Sequence, residues 1–374
     1  MDKHGNNPSQ GRRSLVFGVA EDPVIEMKTI VELCNDNPER RAFWREKKVF
    51  ITGATGMLGS WMTHALVNAG ASVTILVRDW VSNSLLFQGD TINHVNIVHG
   101  ELQNYGLIER TLAEYEIEYI FHLGAQTQVR TALRNPKATF ESNILGTWNV
   151  LEAARITPTI KGVIVASSDK AYGTQPVLPY TEDASLHGEY PYDVSKSCAD
   201  LLARSYYLTY GVPVCVTRCG NLYGPGDRNF DRIIPGTIRS IALGEQPVIR
   251  SDGKFVRDYF FTPDAVDGYL TIAENMHRPE IVGQGFNLST MNKVNVLDLF
   301  NSIIELMGAD VKPKILNQAT NEIREQYLSS QKAEKLLNWR PKHTLDEGLS
   351  ITITWYQQYF AFKMERDKLM RSKA

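Results

Sequence analysis

From Lys47 onward the chain alternates between two patterns. Short apolar runs rich in β-branched residues give way to longer segments whose apolar positions recur at helical spacing. "KKVFITG", "ASVTILVRD", "HVNIVHGEL", "IEYIFHLGA" and "GVIVASS" predict strands. "SWMTHALVNAG", "ATFESNILGTWNVLEAARI" and "DVSKSCADLLARSYYLTYG" predict helices, and "VPVCVTRCGNLYG" one further strand. The strands are apolar on both faces, as in a parallel sheet covered by helices. The expected fold is α/β: a Rossmann-type doubly wound parallel sheet with a smaller C-terminal substrate-binding lobe. The regular alternation occupies residues 47–223. After Gly224 it loosens, and 224–374 is assigned mainly to the lobe, with interleaving segments allowed. Residues 1–46, polar and then weakly helical, read as an extension or packing arm.

Composition narrows the classes. The 374 residues suffice for one large domain or two coupled lobes, and a formal charge of −2 offers no basic field for nucleic acid. No apolar run approaches the ~20 residues of a membrane span, and the N-terminus lacks the apolar core of a signal peptide. Cys34, Cys198, Cys215 and Cys219 form no C-x-x-C pair and read as reduced thiols of a cytoplasmic protein. The histidines show no ligand-type spacing relative to them, so no metal site is expected.

The turn after the first strand is "GATGMLGS". Gly53, Gly56 and Gly59, with Thr55, Met57 and Leu58 between them, would let the backbone approach a pyrophosphate at a helix N-terminus. Between a strand and a helix, this spacing predicts a dinucleotide site. The second strand ends in Arg78 and Asp79. An acid there favours the ribose hydroxyls of NAD and an arginine the 2′-phosphate of NADP, so the cofactor reads as NAD with NADP open. Glu101, after the third strand, is read as sitting beside the adenine or as a solvated carboxylate.

"PYDVSK" puts Tyr192 and Lys196 one helical turn apart on one face. A nearby ammonium lowers a phenol's pKa, so the pair suits proton removal from a sugar hydroxyl.

The series "TGATGMLG", "HLGAQ", "SSDKAYG", "YDVSK", "RCGNLYGPGD" resembles the extended short-chain dehydrogenase/reductase family of nucleotide-sugar enzymes, over about residues 45 to 360. The resemblance implies a catalytic trio of Ser168, Tyr192 and Lys196, with Asn143 supporting the site and Leu102, Leu123 and Ala125 joining the cofactor set. It also implies a nucleotide-diphosphate sugar as substrate, a homodimer, and no membrane or nucleic-acid partner. Within that family, an acid followed by a second proton-transfer residue after the serine resembles the 4,6-dehydratases, whereas epimerases usually carry small residues there. Asp169 and Lys170 fit the first form, and acid followed by lysine is the form of CDP-glucose 4,6-dehydratases. Asp169 would then donate a proton at C6, and Lys170, with its pKa depressed by burial or a cationic neighbour, would handle the C5 proton.

Arg218, Arg228, Arg232, Arg250 and Arg257 suit diphosphate oxygens. By resemblance Asn221, Arg232 and Arg257 would hold the substrate pyrophosphate, with Gln126 and Ser168 toward the sugar and Arg130 facing either the sugar or the cofactor phosphates. Arg218 could equally form a structural ion pair. A 4-epimerase, or a nucleotide-binding protein without catalysis, are the competing readings.

Overall fold

The computed structural model describes residue 34, residues 37–318 and residues 323–372, with side chains as far as residue 364. Strands are named in chain order as β1 (Lys48–Thr52), β2 (Ser72–Val77), β3 (Val95–His99), β4 (Tyr119–His122), β5 (Gly162–Ala166), β6 (Val214–Cys219), β7 (Asn221–Tyr223), β8 (Val256–Arg257), β9 (Tyr259–Phe261), β10 (Gly285–Leu288) and β11 (Glu325–Gln326). The helices that matter below are α1 (Pro38–Trp44), α2 (Met57–Asn68), α3 (Gly146–Ile156), α4 (Pro191–Tyr210) and α5 (Thr262–Glu274).

Seven strands form one parallel sheet in the order β10-β6-β5-β4-β1-β2-β3. Strands β4 and β6 are buried along their whole length, and the charge of Arg218 in β6 is met by Asp200. On one face Trp61 and Leu66 of α2, Val266 and Leu270 of α5 and Trp44 of α1 seal the sheet. On the other face Val150 and Leu151 of α3 and Ala203 and Tyr206 of α4 do so. A separate core, with Ile234, Tyr259, Leu299, Ile353 and Tyr356, holds the C-terminal lobe together. The strand order reverses between β1 and β4, and the crevice beyond the C-terminal ends of such strands is where open α/β sheets bind ligands.

Two differences from the sequence pattern have physical causes. "VPVCVTRCGNLYG" is two strands: the chain leaves the sheet after Cys219, and β7 pairs with β9 in a small second ladder. The helix "ATFESNILGTWNVLEAARI" contains a widened π-helical turn at Glu141–Leu145, a distortion often found at functional sites. Beyond Gly224 the chain both builds the lobe and returns to the main sheet as α5 and β10. No helix among the described residues is long and apolar enough to cross a membrane.

The described end of the N-terminal extension is fastened to the sheet layer. Asn37 caps α1 by accepting from the Arg40 amide. The Arg40 guanidinium, 5% exposed, donates to Asp267 at 2.8 Å and to Glu274 at 2.7 Å, both on α5. Trp44 adds its indole N–H to Glu274 and packs edge-on against Tyr119. Removing one member of a buried ion network strands the others without compensation. Arg40→Ala should therefore lower stability by about 3–5 kcal/mol in denaturant unfolding. A loss under about 1 kcal/mol, typical of surface pairs, would mean that the arm is not part of the cooperative unit.

Candidate active site

The turn after β1 makes a cradle with no room for side chains. Gly53 has φ +73°, and a Cβ there would lie 2.7 Å from the Gly124 amide nitrogen. A Cβ on Gly59 would lie 2.1 Å from the Gly53 carbonyl oxygen, so α2 can sit this close to the turn only as glycine. Gly56 is the N-cap of α2 and supplies no side-chain cap, which leaves the first amides of the helix for an outside acceptor. The Ser84 hydroxyl donates to the Thr55 carbonyl and steadies the outer rim. This cradle fits a dinucleotide pyrophosphate. It opens into a cleft of about 570 Å³ whose walls also include Leu123, Arg130, Ser168, Asp169, Lys170, Tyr192, Lys196, Asn221, Arg232 and Arg257.

Two segments bring the chemistry together. After β5 the chain tightens into a 3-10 turn, Asp169–Tyr172, capped by Ser168, whose hydroxyl accepts from the Lys170 amide. The same hydroxyl donates to Asp169 Oδ1 at 2.9 Å. Opposite lie the first two turns of α4, started by Pro191 and carrying Tyr192 and Lys196. The Lys196 ammonium donates to the Ala166 carbonyl at 2.7 Å, fixing α4 to the end of β5. Asn143, in the widened turn, exchanges hydrogen bonds with the Gln126 backbone and donates to Ser195 Oγ at 2.9 Å. Ser195 Oγ in turn donates to the Tyr192 carbonyl, so Asn143 braces the turn that bears the phenol.

Burial pushes these groups toward their neutral forms. The Asp169 carboxyl is raised by burial, against the opposing pull of Lys170, the Ser168 hydroxyl and Arg257. Asp193 is pushed up to about 6, chiefly by burial and despite Lys170. Lys196 is lowered to about 8 by burial, with Asp200 opposing. Tyr192 is pushed up to about 12 by burial, while the hydrogen-bonded Ser168 hydroxyl pulls the other way. The expected depression of the phenol by Lys196 is thus absent: burial outweighs it, and the Lys196 ammonium is spent on the Ala166 carbonyl. Lys170 acts on two carboxyls, Asp169 and Asp193.

Several expected residues do not reach the cleft wall. Arg78 and Asp79 are exposed and pair with each other at 2.6 Å. Glu101 is exposed, and Leu102 is buried in the core beside α3. Ala125, Gln126 and Asn143 are not among the lining residues, and Gln126 and Asn143 hydrogen-bond to each other. Arg218 is buried in a two-point ion pair with Asp200 and donates to the Tyr172 hydroxyl, which makes it structural. Arg228 and Arg250, expected among the diphosphate-binding arginines, do line the cleft, and Val81, Ser84, Asp193, Asp227 and Ile323 line it without having been singled out. Only Asp193 had a local signal, its place inside "YDVSK". A second cleft of about 440 Å³ adjoins the first and shares Arg130, Asn221, Arg232, Arg250 and Arg257 with it.

Comparison with known proteins agrees with this geometry. The model of a family described as GDP-mannose 4,6 dehydratase matches residues 50–352. A CDP-glucose 4,6-dehydratase of Salmonella typhimurium is 29% identical, over 85% of this chain and 92% of its own length. A solved UDP-glucose 4-epimerase of Thermotoga maritima superposes with a TM-score of 0.77 at 26% identity, covering 84% of this chain and 99% of that one. A dTDP-glucose 4,6-dehydratase of Streptomyces venezuelae, solved with NAD bound, gives a TM-score of 0.76 at 25% identity, covering 84% of this chain and 98% of that one.

The cradle yields a direct expectation. Gly59→Ala forces backbone apart at the pyrophosphate turn, since the clash is with a carbonyl rather than a mobile side chain. It should abolish the thermal stabilisation that NAD confers, measured by melting with and without the nucleotide. An unchanged shift would place the nucleotide elsewhere.

Proposed function

Because this chain belongs to the GDP-mannose 4,6 dehydratase family, we propose that it is an NAD-dependent nucleotide-sugar 4,6-dehydratase acting on CDP-glucose. The observation that carries the reading is the Asp169–Lys170 pair set beside Ser168 and Tyr192 in one cleft. Hydride transfer at C4 alone needs only the Tyr192 side of this arrangement. A second acid and base at the end of β5 is what removal of water across C5 and C6 requires.

Gly53, Thr55, Gly56, Met57, Leu58 and Gly59 would hold the pyrophosphate of NAD. NAD is preferred over NADP because Arg78 is paired with Asp79, whose carboxylate repels a 2′-phosphate. When bound, the nicotinamide supplies the hydride acceptor for C4 and the donor for C6. Tyr192 accepts the C4 hydroxyl proton, helped by the Ser168 hydroxyl. Lys170 removes the C5 proton, acidic once C4 is a ketone. Asp169, which burial favours in its protonated form, gives its proton to the C6 hydroxyl, which departs as water. Arg232 and Arg257, at the junction of the two clefts, suit the diphosphate, and the second cleft the nucleoside.

Mass spectrometry of product from CDP-, TDP-, UDP- and GDP-hexoses tests this. A CDP-sugar lighter by one water is expected; unchanged mass with inverted C4 would make the protein an epimerase. Tyr192→Phe should lower turnover by about 10²–10⁴. Asp169→Asn should leave C4 oxidation intact but stall elimination, so that the absorbance of reduced nicotinamide accumulates. If it does not accumulate, Asp169 is not the acid.

The assembly proposed is a homodimer. Trp148 and Ile156 of α3 and Leu201, Leu208 and Tyr210 of α4 are exposed on adjoining helices, an apolar face suited to a second copy. Light scattering should give twice the chain mass, and Leu208→Glu should shift it toward the monomer. A wild-type monomer at micromolar concentration would overturn the assignment.

A further inference from the structure

Gln326 lies at the end of β11 with 0% of its surface exposed, far in sequence from the motifs of the cleft. Its amide makes two bonds to the 3-10 turn after β5. Oε1 accepts from the Lys170 ammonium at 2.6 Å, and Nε2 donates to the Asp169 carbonyl at 2.9 Å. The amide can take only this orientation, because an ammonium only donates and a carbonyl only accepts. The same strand also touches the substrate side. Gln326 is in register with Arg257 on β8, the Arg257 guanidinium donates to the Arg324 carbonyl at 3.1 Å, and Ile323 lines the cleft.

We propose that Gln326 is a positioning residue for the elimination step: its amide aims Lys170 and pins the Asp169 backbone, and β11 thereby ties the proton-transfer pair to the arginine that faces the diphosphate. The inference rests on the dehydratase reading and goes beyond it by assigning a residue of the C-terminal lobe. An amide suits the task because it accepts from the ammonium without adding charge. The titratable groups acting on this turn include Asp169 from the turn itself, Asp193 and Tyr192 from α4, Glu189 just before α4, Tyr180, Arg257 from β8 and Asp258 just after it. A carboxylate at 326 would add a further negative charge and hold Lys170 in its charged form, unable to accept a proton. A leucine would remove both bonds at similar volume.

The test compares wild type, Gln326→Leu and Gln326→Glu as NAD-loaded full-length enzyme with CDP-glucose. Three quantities are read: water loss by mass, C4 oxidation by reduced-nicotinamide absorbance, and the pH profile of Lys170 acylation in competitive labelling without substrate. Gln326→Leu should slow water loss by about 10²-fold, the cost of misplacing a reacting group by about an ångström, while C4 oxidation stays near wild type. Gln326→Glu should move the Lys170 acylation midpoint to higher pH. Wild-type elimination and an unmoved acylation profile in both variants would overturn the proposal. So would equal loss of oxidation and elimination together with a lowered melting temperature, which marks a purely structural role. If wild-type enzyme releases no water from any sugar nucleotide, the dehydratase reading fails instead, and the acylation profile still decides whether Gln326 governs Lys170.

Discussion

The Lys196 ammonium on the Ala166 carbonyl is the contact on which the site depends. It joins the N-terminal end of α4 to the end of β5 at 2.7 Å, at the wall of the cleft. Tyr192 comes with α4, and Ser168, Asp169 and Lys170 come with β5, so this one bond sets the distance between the two halves of the chemistry. Asn143 reinforces it from behind through Ser195, and Ser168 reinforces it from the front. The dinucleotide turn, the widened helix and the sheet order all serve to bring these two segments to one crevice.

Burial is the second common cause. It raises Asp169, Asp193 and Tyr192 and lowers Lys196, and it raises Asp258, behind β6, to about 7. Groups that would be fully charged in water are thereby moved toward the range in which protons are readily exchanged at neutral pH. The same burial works against the phenol, pushing it up to about 12 while the Ser168 hydroxyl pulls the other way. The positive charge that an oxidised nicotinamide brings to this pocket acts in the opposite sense, so substrate oxidation is tied to cofactor occupancy.

The lobe after Gly224 is joined to the chemistry rather than merely placed over it. Its arginines meet the first cleft from one side, while β11 reaches under Arg257 to the Asp169–Lys170 turn. Two lobes that share a hydrogen-bonded strut cannot shift independently, which favours a pre-organised site.

Much of the fold was legible in the chain itself. Apolar runs buried on both faces announced the parallel sheet, and Gly53 and Gly59 announced the pyrophosphate turn, because sterics at a close backbone approach admit no other residue. Tyr192, Lys196, Ser168, Asp169 and Lys170 were readable because each motif sits where a strand ends or a helix begins, so local spacing fixes their direction. Arg78, Asp79 and Glu101 lie at or just after strand ends, where a residue can turn to solvent or to a neighbour, and spacing does not say which. Arg218 was ambiguous for the same reason, until Asp200 claimed it. The raised phenol, the contacts through which Asn143 supports the site and the clamp from Gln326 belong to tertiary structure alone. They depend on burial and on contacts between segments as far apart as residues 170 and 326, and neither quantity is carried by any local stretch of sequence.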